Sequence, residues 1–278
     1  MKTFRKTANW FWGLVALGVA ALIFVVPFAF IFLTAAKTSQ EANGLKFSLP
    51  EQWNILPNLV SVFEANDFMI VRAFGNSIML TVFSVAILVF LAAMTAWIID
   101  RRPGKIAKFA NFLVLSGLII PPAIVPTIFL LQSLKIYGTF PSMILIEVAF
   151  GTSFTVMIFK AFISTIPREL DEAAILDGAN SIQLFFRIVF PLLKSVIVTA
   201  VILNSVFVFN DFTNPLYFMS GPGSETVQLT LFNFKSQYLT DYNLLFMDIL
   251  IITIPMVVLF AIFNNRIVAG MTAGAVKG

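Results

Sequence analysis

Glu147, Asn204, Phe207 and Asp211 are the side chains of this chain best placed to handle a polar solute, because each sits within strongly apolar sequence. Carboxylates and amides at membrane depth are costly, so their presence there points to a pathway or to a contact between helices. Asn204, Phe207 and Asp211 stand at i, i+3 and i+7, which is one face of a helix. Amide and carboxylate hydrogen bonds beside an aromatic ring suit a neutral sugar, and the stripe then lines a path. The other reading is adhesion, since a buried Asn bonds readily across helices. Glu147 and Asp248 lie near the ends of their apolar runs, where solvation is the plain expectation.

A second group gathers between two apolar runs, in Pro167–Leu193. Its pattern predicts two short helices joined at a glycine. Pro167 suits a first helical position, and Glu169, Asp171 and Glu172 favour the positive end of the helix dipole. Gly178 can take the left-handed conformation that ends a helix. Asn180 with Gln183 can cap a second helix, Ile182 to Phe190, stopped at Pro191. Glu172 can make charge-assisted hydrogen bonds to a partner's Arg or Lys. Ala173 and Ala174 permit close approach, and Ile175, Leu176 and Phe185 offer apolar anchors.

The elements that must position these groups are membrane helices. Hydrophobic residues make up 59% of the 278 and charged ones 12%, with a mean hydropathy of +0.94. A soluble domain is nearer one half apolar and one quarter charged. There is no His and no Cys, which removes imidazole catalysis, thiolate chemistry and most transition-metal sites. The fold class predicted is all-α integral membrane with six transmembrane helices. The segments are an N-terminus 1–9, a first span 10–36, an extracytoplasmic segment 37–72, a core 73–266 containing the loop 164–194, and a tail 267–278. Within the core, spans are expected over about 73–99, 109–134, 142–163, 196–217 and 243–263. The third is broken by Pro121, Pro122 and Pro126, and Pro57–Phe63 reads as a structured connector, with a short interfacial helix as the alternative. With both termini, the loop between the second and third spans and the 164–194 loop cytoplasmic, only Lys37, Lys46, Arg72, Lys135 and Lys235 fall outside, leaving 13 of 18 basic residues inside. That is the positive-inside bias.

Glu172-Ala173-Ala174, Asp177-Gly178-Ala179, Ile188 and Pro191-Leu192 together resemble the EAA loop of ABC-importer permeases, in the form found in the carbohydrate branch. Asn76-Ser77 resembles an Asn-Ser pair of sugar permeases. Phe209-Asn210-Asp211-Phe212 with Pro215-Leu216 resembles their W-N-D-F-x-x-P-L segment, with Phe209 where Trp is usual. The ending Ala269–Gly278 resembles that of the MalG-type subunit. The resemblance implies a non-catalytic permease subunit of a bacterial inner-membrane, binding-protein-dependent carbohydrate importer. It implies a homologous permease partner, two ATPase subunits and an extracytoplasmic sugar-binding protein. It also implies a coupling site at Glu172, Ala173, Ala174, Asp177, Gly178, Ala179, Ile188 and Pro191, and adds Asn76 and Asn210 to the candidate pathway. The chain has no G-x-x-x-x-G-K-[ST] phosphate loop, so no cofactor is expected on it, and ATP and Mg belong to the partner ATPases. The alternative is a secondary transporter or channel driven by an ion gradient. Such relays usually employ His or several intramembrane acids, and this chain is poor in both. No nucleophile–base pair supports a membrane enzyme.

Overall fold

The computed structural model describes residues 2–102, 104–219, 221, 223–234 and 241–273, with side chains from residue 12 onward except those of 233, 259 and 264–273. Every regular element among them is helical. The chain divides into two compact units, residues 1–71 with 230–255 and residues 72–229 with 256–278.

In the first unit, α1 (Lys2–Ala35) is apolar on all sides, and its most apolar 18 residues include no buried position. A helix of that kind is suited to a lipid surround. The carbonyls at and just past its end, where intrahelical donors run out, find partners. Asn58 donates Nδ2 to Ala35 O and Lys37 O, both at 2.8 Å, and the Asn54 N–H reaches Ala36 O at 2.8 Å. Next come α2 (Ser39–Ala42) and α3 (Ile55–Glu64). The latter makes Pro57–Phe63 helical rather than a plain connector, and its buried residues are Asn58 and Val62. Lys37, 2% exposed, donates Nζ to Lys46 O at 2.7 Å and to Ser48 Oγ at 3.0 Å, as a buried ammonium must. The final helix, Tyr242–Ala273, contributes Asn243, whose Nδ2 donates to Asn58 Oδ1 at 3.0 Å. Asp248, expected to be solvated, is instead 0% exposed and accepts from the Thr230 hydroxyl at 2.8 Å. It lies in a helical register that faces the packed interior.

The second unit is built on α4 (Met69–Arg101), α5 (Lys105–Ile119), α6 (Ile124–Ser133) and α7 (Phe140–Ile163). Val85, Val89, Ala92 and Ala96 recur at helical spacing along the buried side of α4. Lipid tails are as apolar as Leu, so close van der Waals packing must hold such helices together, and small residues allow it. At Gly151 of α7 an added Cβ would lie 2.6 Å from Leu88 Cδ2 of α4. Any side chain there requires Leu88 to shift. α5 ends where Pro121 and Pro122 remove two N–H donors, and Ile120 turns extended with ψ 121°. The expected third span is therefore two helices of 15 and 10 residues. Neither alone has the roughly 20 residues needed to cross a bilayer.

The hairpin follows as α8 (Glu169–Leu176) and α9 (Ser181–Leu192), then α10 (Lys194–Asn210) and α11 (Thr213–Phe218). Three boundaries differ from the sequence-based expectation. α8 begins at Glu169, with Pro167 ahead of it and Arg168 at the N-cap. α9 is not stopped by Pro191 but runs to Leu192. A π turn, Phe185–Val189, closed by the Phe190 N–H on Phe185 O, precedes the proline, and the chain then bends 74° into α10. The expected fifth span to 217 ends at Asn210, because Asp211 is extended, with ψ 122°. Among the described residues four helices are long and apolar enough to cross a membrane, or five if the bent pair counts as one span. The final helix continues through 267–273, where a tail was expected; Gly274–Gly278, with Lys277, lie outside the described residues, as does Lys235.

Candidate translocation cavity and coupling hairpin

An open cavity of about 580 Å³ lies between α4, α7 and α10. Leu88 comes from α4, while Glu147, Phe150, Gly151 and Phe154 come from α7. Asn204, Phe207 and Asn210 come from α10, with Asp211 and Asn214 just beyond its end. Five of the six pathway candidates named from sequence are thus brought together. The helical stripe is not the reason for Asp211, which lies past the last turn. Its Oδ1 accepts from the N–H groups of Thr213 at 2.9 Å and Asn214 at 3.2 Å, and its Oδ2 accepts from Asn214 Nδ2 at 2.5 Å. Donors at a helix start need such an acceptor, so Asp211 both breaks the span and starts α11.

Asn204 is 3% exposed. Its Nδ2 donates to Ala200 O at 2.8 Å, and its Oδ1 accepts from the Thr155 hydroxyl of α7 at 3.2 Å. In this geometry Asn204 bonds across helices while also lining the cavity. Phe207 is 64% exposed and meets Phe154 edge-on, with ring centroids 6.4 Å apart. Asn210 donates Nδ2 to Val206 O at 2.8 Å and accepts from Gln228 Nε2 at 3.3 Å. Glu147 was expected near the surface and solvated, yet it is 7% exposed. Its side chain lies at the cavity wall, beside the carboxyl group of Asp211. Asn76 does not line the cavity. Its Nδ2 donates to Gly223 O at 2.9 Å and Glu225 O at 3.0 Å, while neighbouring Ser77 Oγ accepts from the Val227 N–H at 3.0 Å. The Asn-Ser pair therefore holds the 223–227 segment. Phe150, Phe154 and Asn214 were not singled out from sequence. Phe is common in this chain and no local pattern distinguishes the rings that meet a cavity.

In the hairpin, Gly178 has φ +84°, a conformation that favours glycine. Asn180 and Gln183 form a reciprocal capping box at 2.9 and 3.0 Å. Glu172, Ala173, Asp177, Gly178 and Pro191 are exposed, Ala179 and Ile188 are half-buried, and Ala174 is buried. Ile175, Leu176 and Ile182 are exposed by 59%, 87% and 70%. Phe185, expected as an outward anchor, is 2% exposed and packs on Trp97 at 5.3 Å between ring centroids. The α9 helix turns that ring inward against α4, and Ile182 takes the outward position.

Over residues 70–273 the sequence matches the family described as the binding-protein-dependent transport system inner membrane component. It is 33% identical to the melibiose/raffinose/stachyose import permease protein MelC of Bacillus subtilis, over 94% of each chain. It is 30% identical to the probable ABC transporter permease protein YurM of the same organism, over 99% of this chain and 92% of that one. The fold superimposes with a TM-score of 0.79 and 16% identity on a chain of a bacterial ABC transporter importing the acidic polysaccharide alginate, covering 94% of this chain and 97% of that one. The chain belongs to the family of binding-protein-dependent transport system inner membrane components. It is a multi-pass ABC-transporter permease, a transport component rather than an enzyme.

Proposed function

We propose that this permease forms half of the translocation pathway of an ATP-driven carbohydrate importer, carrying an oligosaccharide across a bacterial cytoplasmic membrane. The observation that carries this reading is the cavity itself: two carboxyl groups, three Asn amides and three Phe rings face one space. Hydroxyl-rich solutes are held by such acceptors and amides, while aromatic faces cover their C–H surfaces. Among the described residues no Lys or Arg lines the cavity, so the solute proposed is a neutral sugar. The sugar-import relative supports the substrate class. The chain is taken to cross the membrane six times, and the excess of basic residues supports cytoplasmic placement of both termini and of the 164–194 loop.

Energy enters from two partner ATPase subunits, which hold the ATP and Mg, and a homologous permease closes the open side of the cavity. An extracytoplasmic sugar-binding protein delivers the solute. The hairpin is the coupling element: Glu172 offers a charge-assisted contact, and Ile175, Leu176 and Ile182 offer the apolar area that a docking cleft needs. Purified importer in proteoliposomes, screened with neutral oligosaccharides and with uronate oligomers, tests the reading. ATP hydrolysis stimulated by a neutral oligosaccharide is expected. Stimulation by uronates alone, or by no sugar while an amino acid or metal is carried, overturns it.

A further inference from the structure

Three helix ends meet at Arg101, the last residue of α4. Its Nη2 donates to Ile166 O at 2.7 Å and lies 3.5 Å from Ile163 O, at and just past the end of α7. Its Nε lies 2.9 Å from Asp171 Oδ2 in the first turn of α8. Both side chains are nearly closed to solvent, at 8% and 12% exposure. The arrangement is reciprocal. Arg168, the N-cap residue of α8, returns Nη2 to Asp100 O at 3.2 Å, and Arg102 bonds the Ser181 hydroxyl at the start of α9. Carbonyls at a helix C-terminus carry partial negative charge and lack donors. A guanidinium, with its fixed fork of donors, can serve a carbonyl and a carboxylate at once where an ammonium offers one point charge.

We propose that Arg101 is a positioning residue for coupling: it fastens the hairpin to α4 and α7, so that displacement of the hairpin moves the helices that wall the cavity. The route is short in the chain. α7 carries Glu147, Phe150 and Phe154 in the cavity and ends at Arg101's carbonyl partners; α4 carries Leu88 in the cavity and ends at Arg101 itself. This inference rests on the coupling assignment given above. Without the fastening, a nucleotide-driven push on α8 swings the hairpin and leaves the pathway behind. Glu172 touches the partner; Arg101 acts through Asp171 and the α7 end.

The test compares Arg101→Gln, Arg101→Lys, Asp171→Asn and the Arg101→Gln/Asp171→Asn pair in the assembled importer, reading sugar carried per ATP hydrolysed. A merely structural residue would lower both quantities together. Arg101→Gln is expected to lower the ratio at least tenfold. Arg101→Lys should fall between it and the parent, and the double variant should be no worse than the worse single. Because the chain has no cysteine, spin labels at Lys105→Cys and Glu169→Cys, both exposed positions, report the hairpin directly. Their distance distribution should broaden in Arg101→Gln. An unchanged ratio with an unchanged distribution overturns the proposal. If Arg101→Gln fails to reach the membrane, the same two readings on Arg101→Lys decide. Gly178→Asp separates the layers: if it leaves ATP hydrolysis coupled, the coupling assignment fails, whereas if it uncouples and Arg101→Gln does not, only the fastening fails.

Discussion

The cavity and the hairpin solve opposite problems with the same few residue types. In the cavity, polar groups are surrounded by apolar helices, and most are already bonded within the chain. Asn204 holds Thr155, Asn210 holds Val206 O, and Asp211 caps α11. Their spare acceptor capacity faces a space walled by helices distant in sequence. In the hairpin, polar groups do the local work of shaping a turn, and the apolar side chains are left over. Leu176 and Ile182 stand out at 87% and 70% exposure, with nothing among the described residues to cover them. One region is a wall with unsaturated hydrogen-bonding groups; the other is a knob with unsaturated apolar area. The first suits a hydrated solute and the second a protein cleft, and the coupling proposed above would have them move together.

That contrast can be broken by substitution. Gly178→Asp should have the largest effect. No atom crowds the position, but its φ of +84° strains any side chain, at about 1–2 kcal/mol for a left-handed residue. The substitution also places a charge beside the apolar knob. Coupled ATP hydrolysis should fall to background while the amount of permease in the membrane is unchanged, as read by quantitative immunoblot beside the ATPase assay. Gly151→Val should come next and do the reverse. The new Cβ meets Leu88 Cδ2 at 2.6 Å, and overpacking typically costs about 1–3 kcal/mol. Thermal denaturation should shift downward, and transport should fall because the cavity wall is displaced. Leu176→Ala should be smallest. At 87% exposure it should change stability by no more than about 0.5 kcal/mol. Binding of the ATPase should weaken by about fivefold if the side chain is worth roughly 1 kcal/mol in the contact. A hairpin variant that destabilised the fold, or a cavity variant that spared it while abolishing ATPase binding, would reverse the division.

The hairpin was legible in sequence because its determinants are local. Gly178 and the Asn180–Gln183 box act over three residues, and short-range chemistry fixes both. What escaped was what lies beyond the loop. Arg101 and Asp171 are seventy positions apart, and in sequence Arg101 counts only toward the charge of its side of the membrane. The inward direction of Phe185 is not legible locally, because the rings that hold it, Trp97 and Phe90, belong to α4. In the cavity, hydropathy revealed Glu147, Asn204 and Asp211 as unusual, but not that Glu147 is buried or that Asp211 ends a helix. The spans were legible where they are continuous, as in α1, α4 and α7. They were not where prolines or Asp211 divide them, since apolar composition continues across each break.

The central claim is that this permease moves sugar only when a separate ATPase drives its hairpin. The direct measurement is radiolabelled oligosaccharide flux into proteoliposomes holding the two permeases, with and without the ATPase subunits and ATP. The account predicts uptake against a gradient when both are present and none when either is omitted. Sustained uptake by the permeases alone, driven by an imposed ion gradient, would contradict it.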